Sequence, residues 1–294
     1  MRFPVHLFFP LISSFSYVLA VLLVKRASTY GVGVWRTTFI ANVAMALCFL
    51  PLFFLGGPGQ PAAMLWQPAL TSLLFFIGQI ATFLAIEGDV SIATPVLGLK
   101  ILLVAFFSAL LLADPIPLKW WVAALLSTLA IVMLNQGSNR VPHRRIGVTV
   151  AWAALAAAAY ALTDVLVQKW APAWGAGIYL PIMFGSLAIY SLGIIPRFQA
   201  PLTAISRATW PWLIPGCILL AIQAASVAYA LAVYGDATAV NIVYSSRGLW
   251  SVMAVWLIGH WFGNEERSLP AGLLRNRFIG AVLMLAAIGL IVVP

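Results

Sequence analysis

Leu84-Ala85-Ile86-Glu87-Gly88-Asp89 returns 147 residues later as Leu231-Ala232-Val233-Tyr234-Gly235-Asp236. The match continues downstream, where Ser91 meets Thr238 and Lys100 meets Arg247. Seven of the thirty positions between Leu84–Ala113 and Leu231–His260 are identical. A second pair lies upstream. Leu23-Val24-Lys25-Arg26 resembles Leu166-Val167-Gln168-Lys169, and Gly31-Val32-Gly33 that follows resembles Gly175-Ala176-Gly177. Shared Leu, Ala and Gly alone would be weak evidence. The paired Gly-Asp turns and the paired basic residues point to an internal repeat.

The units of this repeat are apolar runs. Of the 294 residues, 63% are hydrophobic and 8% are charged, against about 25% charged in an ordinary soluble domain. Lipid solvates such a surface and water does not. A spanning helix needs roughly 17–25 mainly apolar residues. Ten segments qualify: 3–25, 31–54, 66–86, 90–113, 118–136, 147–169, 175–196, 209–234, 238–262 and 274–293. Gly56-Gly57-Pro58-Gly59-Gln60-Pro61, Ala113-Asp114-Pro115-Ile116-Pro117 and the stretch from Gln136 to Arg145 separate some of them. The first run, from Phe3, ends in Val24-Lys25-Arg26 and not at a small-residue cleavage site, so it reads as a helix and not as a signal peptide. Continuous hydrophobicity argues for helices over a barrel of alternating strands. The expected fold is an all-α membrane protein of ten transmembrane helices. Residues 1–137 form a first five-helix repeat, 138–146 a basic linker and 147–294 a second repeat. Five is odd, so the second repeat enters the membrane upside down. Many secondary transporters have this plan, with substrate held near the midplane between the halves.

The ten helices, the two halves and the Gly-Asp turns before helices four and nine resemble the drug/metabolite transporter superfamily, in particular its EamA-type branch. The resemblance implies alternating access around a central cavity. A narrower similarity is to the plastid sugar-phosphate translocators of that superfamily, which bind phosphate through basic residues midway along helices four and nine. Lys100, in Val96-Leu97-Gly98-Leu99-Lys100, and Arg247, in Tyr244-Ser245-Ser246-Arg247, occupy comparable places. Here helix nine carries a single basic residue with different flanks, so phosphate is one candidate among several.

Lys100 and Arg247 are the sharpest signals in their own right. A charge at that depth costs at least roughly 2.5–3.5 kcal/mol, and each lies too far from its helix ends to reach the interface. Each therefore faces a wet cavity, a counter-ion or an anionic ligand. Seven carboxylates exist in the chain, and all read as lying near helix ends, which favours a cavity over structural pairing. Arg grips carboxylate or phosphate with two parallel hydrogen bonds, and Lys acts as a point charge. The expected substrate carries an anionic group, alone or in a zwitterion: an amino acid, an organic acid or a sugar phosphate.

Asp164 is a candidate for proton or ion coupling, with a solvated helix-end carboxylate as the plain alternative. Tyr244 and Trp250, three residues either side of Arg247, share its helix face. Asn42, Gln79, Gln223 and Asn241 are polar within spans. They are candidate substrate contacts, although bonding between helices is the commoner role for such groups. Pro95 frees a carbonyl and bends the helix one turn before Lys100.

The competing readings are a broad exporter of lipophilic or cationic compounds, in which Lys100 is dispensable, and an enzyme on lipid-linked substrates, for which His260 with Glu265-Glu266 is the only faint cluster. P-loop, nucleophile-elbow and zinc-protease motifs are missing from the sequence, so no enzyme is expected, nor any cofactor or metal. Cys48 and Cys217 lie in apolar runs as small hydrophobes. Most of the Lys and Arg behind the +9 charge fall in short breaks between apolar runs, the pattern of loops that orient helices, so no nucleic-acid partner is expected. The expected partners are a small-molecule substrate and the bilayer, with the monomer as the working unit. Arg2, Lys119 and Lys169 fall on the face of the termini. Lys25, Arg26, Arg36, Arg140, Arg144, Arg145, Arg197, Arg207, Arg267, Arg275 and Arg277 fall on the other. The positive-inside rule makes the second face cytoplasmic and leaves both termini outside a bacterial-type inner membrane. The resemblance implies the opposite orientation, since many relatives keep their termini in the cytoplasm.

Overall fold

An apolar run that cannot bond its backbone to water must bond it to itself, and a helix does so within one segment. The computed structural model describes residues 5–88, 90–112, 116–134, 146–258 and 271–292. Among them every regular element is helical. Seven helices are long and apolar enough to cross a membrane, and Leu118–Leu134 and Phe278–Val292 are shorter apolar helices.

In order, the α-helices are α1 (Phe8–Ser28), α2 (Val34–Phe49), α3 (Trp66–Gly88), α4 (Val90–Gly98), α5 (Lys100–Leu111), α6 (Leu118–Leu134), α7 (Ile146–Trp174), α8 (Ala176–Ser191), α9 (Trp210–Tyr234), α10 (Ala237–Tyr244), α11 (Arg247–Ile258) and α12 (Ala271–Val292). The last six repeat the pattern of the first six. Even the short 3-10 turns recur: Leu50–Leu55 and Ala62–Met64 follow α2, and Leu192–Arg197 and Leu202–Ala204 follow α8. The packing repeats as well. α1 lies along α9 and α3 lies along α7, each pair being the counterpart of the other.

Glycines mark the equivalent corners. Gly33 (φ 74°) precedes α2 and Gly175 (φ 80°) precedes α8, in the left-handed region open to glycine. The structure thus pairs Gly33 with Gly175, where the sequence match set Gly31 opposite Gly175. Gly175 has a second constraint. A Cβ on it would sit 2.6 Å from the Cα of Gly57, so the corner before α8 and the loop after α2 meet backbone to backbone. Gly235 (φ 75°) and Asp236 (φ 55°) form a left-handed reversal into α10, where the N–H of Ala237 donates to Gln168 Oε1 at 2.8 Å. Asp89, in the matching turn, lies outside the described residues, as does the linker from 138 to 145.

The fourth and ninth of the expected segments are not single helices. In the fourth, Leu99 separates α4 from α5; its N–H donates to Val96 O at 3.0 Å, three residues back and not four. In the ninth, Ser246 N–H donates to Val243 O at 3.1 Å in the same manner. The two tightened bonds stand 147 residues apart, at the offset of the sequence repeat. Pro95 weakens the first site, since it lacks an N–H and crowds the preceding turn. The second site has no proline. There Ser245 Oγ donates to Ile242 O at 2.6 Å and takes the carbonyl that Ser246 N–H would use in an unbroken helix.

Candidate functional site

Each helix break exposes a basic residue at the start of the following helix: Lys100 opens α5 and Arg247 opens α11. Each meets a tyrosine from a long helix. The Lys100 ammonium is 5.8 Å from the ring centroid of Tyr160 on α7, and the Arg247 guanidinium is 4.7 Å from that of Tyr17 on α1. Tyr17 and Tyr160 are separated by the offset that aligns Leu23-Val24 with Leu166-Val167. The two basic residues and the two tyrosines are therefore equivalent pairs in the repeat.

Tyr244 joins the halves. Lys100 Nζ lies 5.8 Å from its ring centroid, the Arg247 guanidinium carbon lies 4.6 Å from it, and Arg247 Nη1 donates to its hydroxyl at 2.8 Å. The two cations thus share one ring. Tyr17 also meets Tyr244 edge to face at 6.3 Å. Arg247 is held between two aromatic faces, which attract its charge through the ring quadrupole.

The symmetry is broken by one carboxylate. Lys100 Nζ pairs with Asp164 Oδ2 at 2.7 Å, with side-chain exposures of 17% and 12%. Asn241 Nδ2 donates to the same oxygen at 2.8 Å and to Ala237 O at 2.9 Å. The equivalent of Asp164 on α1 is Val21. Among the described residues Arg247 has no carboxylate within ion-pair distance. The local charge is one cation in excess, on the Arg247 side.

Two expectations are corrected here. Asp164 is not at a helix end, because α7 runs on through Pro172 to Trp174 and places Asp164 ten residues before its end. A proline in the last turn forfeits only its own N–H bond, so the helix need not stop before it. And the Lys100 charge is paired, so the structural pairing set aside on the sequence is present beside the partial exposure. Asp164 gave no sign of this because its partner lies on a helix 64 residues away.

The other expected site residues divide. Tyr244 and Asn241 join the cluster. Trp250 packs edge to face on the half-exposed Phe15 of α1 at 6.1 Å. Asn42 and Gln79 exchange two hydrogen bonds of 2.9 Å, and Asn42 also donates to Ser191 Oγ at 2.8 Å. That closed set ties α2, α3 and α8. Gln223 is tied to α1 through its backbone, its carbonyl accepting from Ser13 Oγ at 2.9 Å. His260 and Glu265-Glu266 lie outside the described residues. Tyr17 and Tyr160 were not singled out in the sequence. Tyr160 carried a signal, since it stands four residues before Asp164 on one helix face. Tyr17 carried none without the offset.

The amide network gives a testable distinction. Asn42→Leu strands the Gln79 amide, while Ser191 keeps its bond to Leu187 O, and is expected to cost roughly 1–3 kcal/mol. Melting in detergent, with and without anions, should show a lower midpoint and an unchanged anion-induced shift. A lost shift would move Asn42 into the binding site.

Comparison with known proteins agrees with this architecture. Residues 5–136 match the model of the EamA-like transporter family, part of the drug/metabolite transporter superfamily, and the resemblance drawn from the sequence is met there. Members of that family are transporters and not enzymes. No curated protein matches the chain. A solved structure titled only "Crystal structure of protein" aligns over 96% of this chain and 95% of its own, with TM-score 0.69 and 15% identity. At that identity the likeness speaks for the fold.

Proposed function

We propose that this chain, whose residues 5–136 match the EamA-like transporter family, is a ten-helix secondary transporter for a small metabolite bearing an anionic or zwitterionic group. Amino acids, organic acids and sugar phosphates are the candidate classes. The observation that carries the reading is the unbalanced charge at the helix breaks. Lys100 is offset by Asp164 at 2.7 Å, while Arg247 meets only tyrosines among the described residues. A buried cation without a carboxylate is costly, and an anionic group on the substrate offsets it.

The transport cycle follows from the repeat. If α4 with α5 counts as one crossing and α10 with α11 as another, each half crosses five times and the halves are inverted. The paired breaks then lie at one level near the midplane, where broken helices present binding groups. Rocking one half against the other exposes Lys100 and Arg247 to each side in turn. The halves are 1–137 and 147–294, and one copy of the chain forms the whole path. Contacts of Arg36 with Pro201 O and of Arg197 with Trp35 gather the basic end of the bundle, in keeping with a cytoplasmic face there, termini outside, in a bacterial-type inner membrane.

A carrier of lipophilic cations would need an unpaired carboxylate at this level, and Asp164 is engaged by Lys100. The readings separate in a thermal-shift panel of carboxylates, phosphate esters, amino acids and quaternary amines. A ligand that binds only the folded state raises the melting temperature. Anionic compounds should stabilise the wild type, and Arg247→Ala should lose the effect. Shifts by quaternary amines alone, retained in the variant, would replace this function with cation efflux.

A further inference from the structure

We infer that Asp164 couples anion binding to proton uptake, so that each anion the carrier takes up brings one proton with it. The inference rests on the anion-carrier reading and deepens it. The site as it stands holds Lys100, Arg247 and the Asp164 carboxylate, one net positive charge. An anion seated at Lys100 and Arg247 comes beside the Asp164 carboxylate, because Lys100 Nζ is already 2.7 Å from it. Two negative groups at one ammonium favour protonation of the more basic of them or of the one less engaged by other cations. Arg247 donates to the Tyr244 hydroxyl and has no carboxylate among the described residues, so it is left to the anion, while Asp164 is paired with Lys100. The proton therefore goes to Asp164. The loaded site, with anion and proton, regains one net positive charge, so a monoanion moves through a carrier whose site charge never changes.

The surroundings suit both states of the carboxyl. Asn241 now donates to it at 2.8 Å. An amide also has a carbonyl, so Asn241 turned over can accept from a carboxylic acid. The ammonium of Lys100 has three donors and can leave Asp164 for the anion without leaving the cluster. The titratable groups around Asp164 are Lys100 from α5, which pairs with it, and Tyr160 on its own helix and Tyr244 from α10, whose rings lie 5.8 Å from the Lys100 ammonium; Arg247 from α11 meets Tyr244. Of the other helices packed on α7, α4, α8 and α9 carry no charged side chain, and α3 carries only Glu87. Glu87 is nine residues beyond Gly78, where α3 meets the Tyr160 ring. Among the described residues Asp164 is thus the acidic group at the Lys100 ammonium.

Linkage makes this measurable. If protonation of Asp164 strengthens anion binding, anion binding strengthens protonation by the same factor. The probes are sodium acetate and inorganic phosphate, added at matched pH to weakly buffered, purified full-length protein with a pH dye. Wild type should take up about one proton per protein, and anion affinity from thermal shifts should rise up to about tenfold per unit fall in pH. Asp164→Asn should still bind both anions, take up none and show a flat pH dependence; Asp164→Glu should restore uptake. Infrared spectra should give a protonated-carboxyl band on anion addition in wild type that Asp164→Asn lacks. Anion binding with no uptake, or equal uptake in Asp164→Asn, overturns the coupling and leaves the carrier reading standing. Failure of both anions to shift the wild type at any pH overturns the carrier reading, and the coupling with it.

Discussion

Lys100→Met should destabilise the protein by about 3–5 kcal/mol, because it leaves the buried Asp164 carboxylate without its cation. The pair is short and mostly enclosed, at 2.7 Å with 17% and 12% of the side chains exposed. Asn241 would remain as a donor, but one neutral hydrogen bond does not replace an ammonium. Replacing both partners removes the uncompensated charge. Lys100→Met with Asp164→Leu should therefore melt close to the wild type, since apolar substitutes for a buried pair are often neutral or better. Melting midpoints of the two single variants and the double variant in detergent give the coupling energy directly. The double variant should still fail to bind anions normally, which separates the stability of the bundle from its function. Equal loss in the single and double variants would mean that the pair does not hold α5 to α7.

Arg247→Lys should weaken anion binding by about ten- to a hundredfold, corresponding to the roughly 1.5–3 kcal/mol of a hydrogen bond to a charged group. Lysine keeps the charge and loses the planar fork that grips carboxylate or phosphate with two bonds. It also loses the guanidinium face that lies 4.7 Å and 4.6 Å from the rings of Tyr17 and Tyr244. Tyr17→Leu isolates that second part. It should cost about 0.5–2 kcal/mol of binding, the range of a cation–π contact. Anion titrations followed by thermal shift measure both. An unchanged affinity in Arg247→Lys would show that the site needs a point charge there and not a fork, and would count against the assignment of Arg247 as the anion's main grip.

The division between what sequence and structure contribute runs through these same residues. Composition alone decided that the chain is helical and lives in a bilayer. The choice follows from the energetic cost of unbonded backbone in lipid, which is local and independent of partners. The repeat was legible too, because Gly-Asp and the basic residues survive at a fixed offset. So was the placing of Lys100 and Arg247 inside apolar runs, since a charge within such a run is visible without knowing what faces it. Tertiary structure decided the charge balance. Asp164 read as a helix-end carboxylate, and only the packing of α5 and α10 on α7 makes it the partner of Lys100 and Asn241. It also decided that Asn42 and Gln79 bond to each other, that Trp250 packs on Phe15, and that Tyr17 and Tyr160 cover the two cations. The helix break at Ser245 needed three dimensions as well, because a serine hydroxyl competes for a carbonyl only in particular rotamers. Lipid acts on each residue singly and so leaves its mark in the sequence. Pairing depends on which helices become neighbours, and that is settled only when the bundle closes.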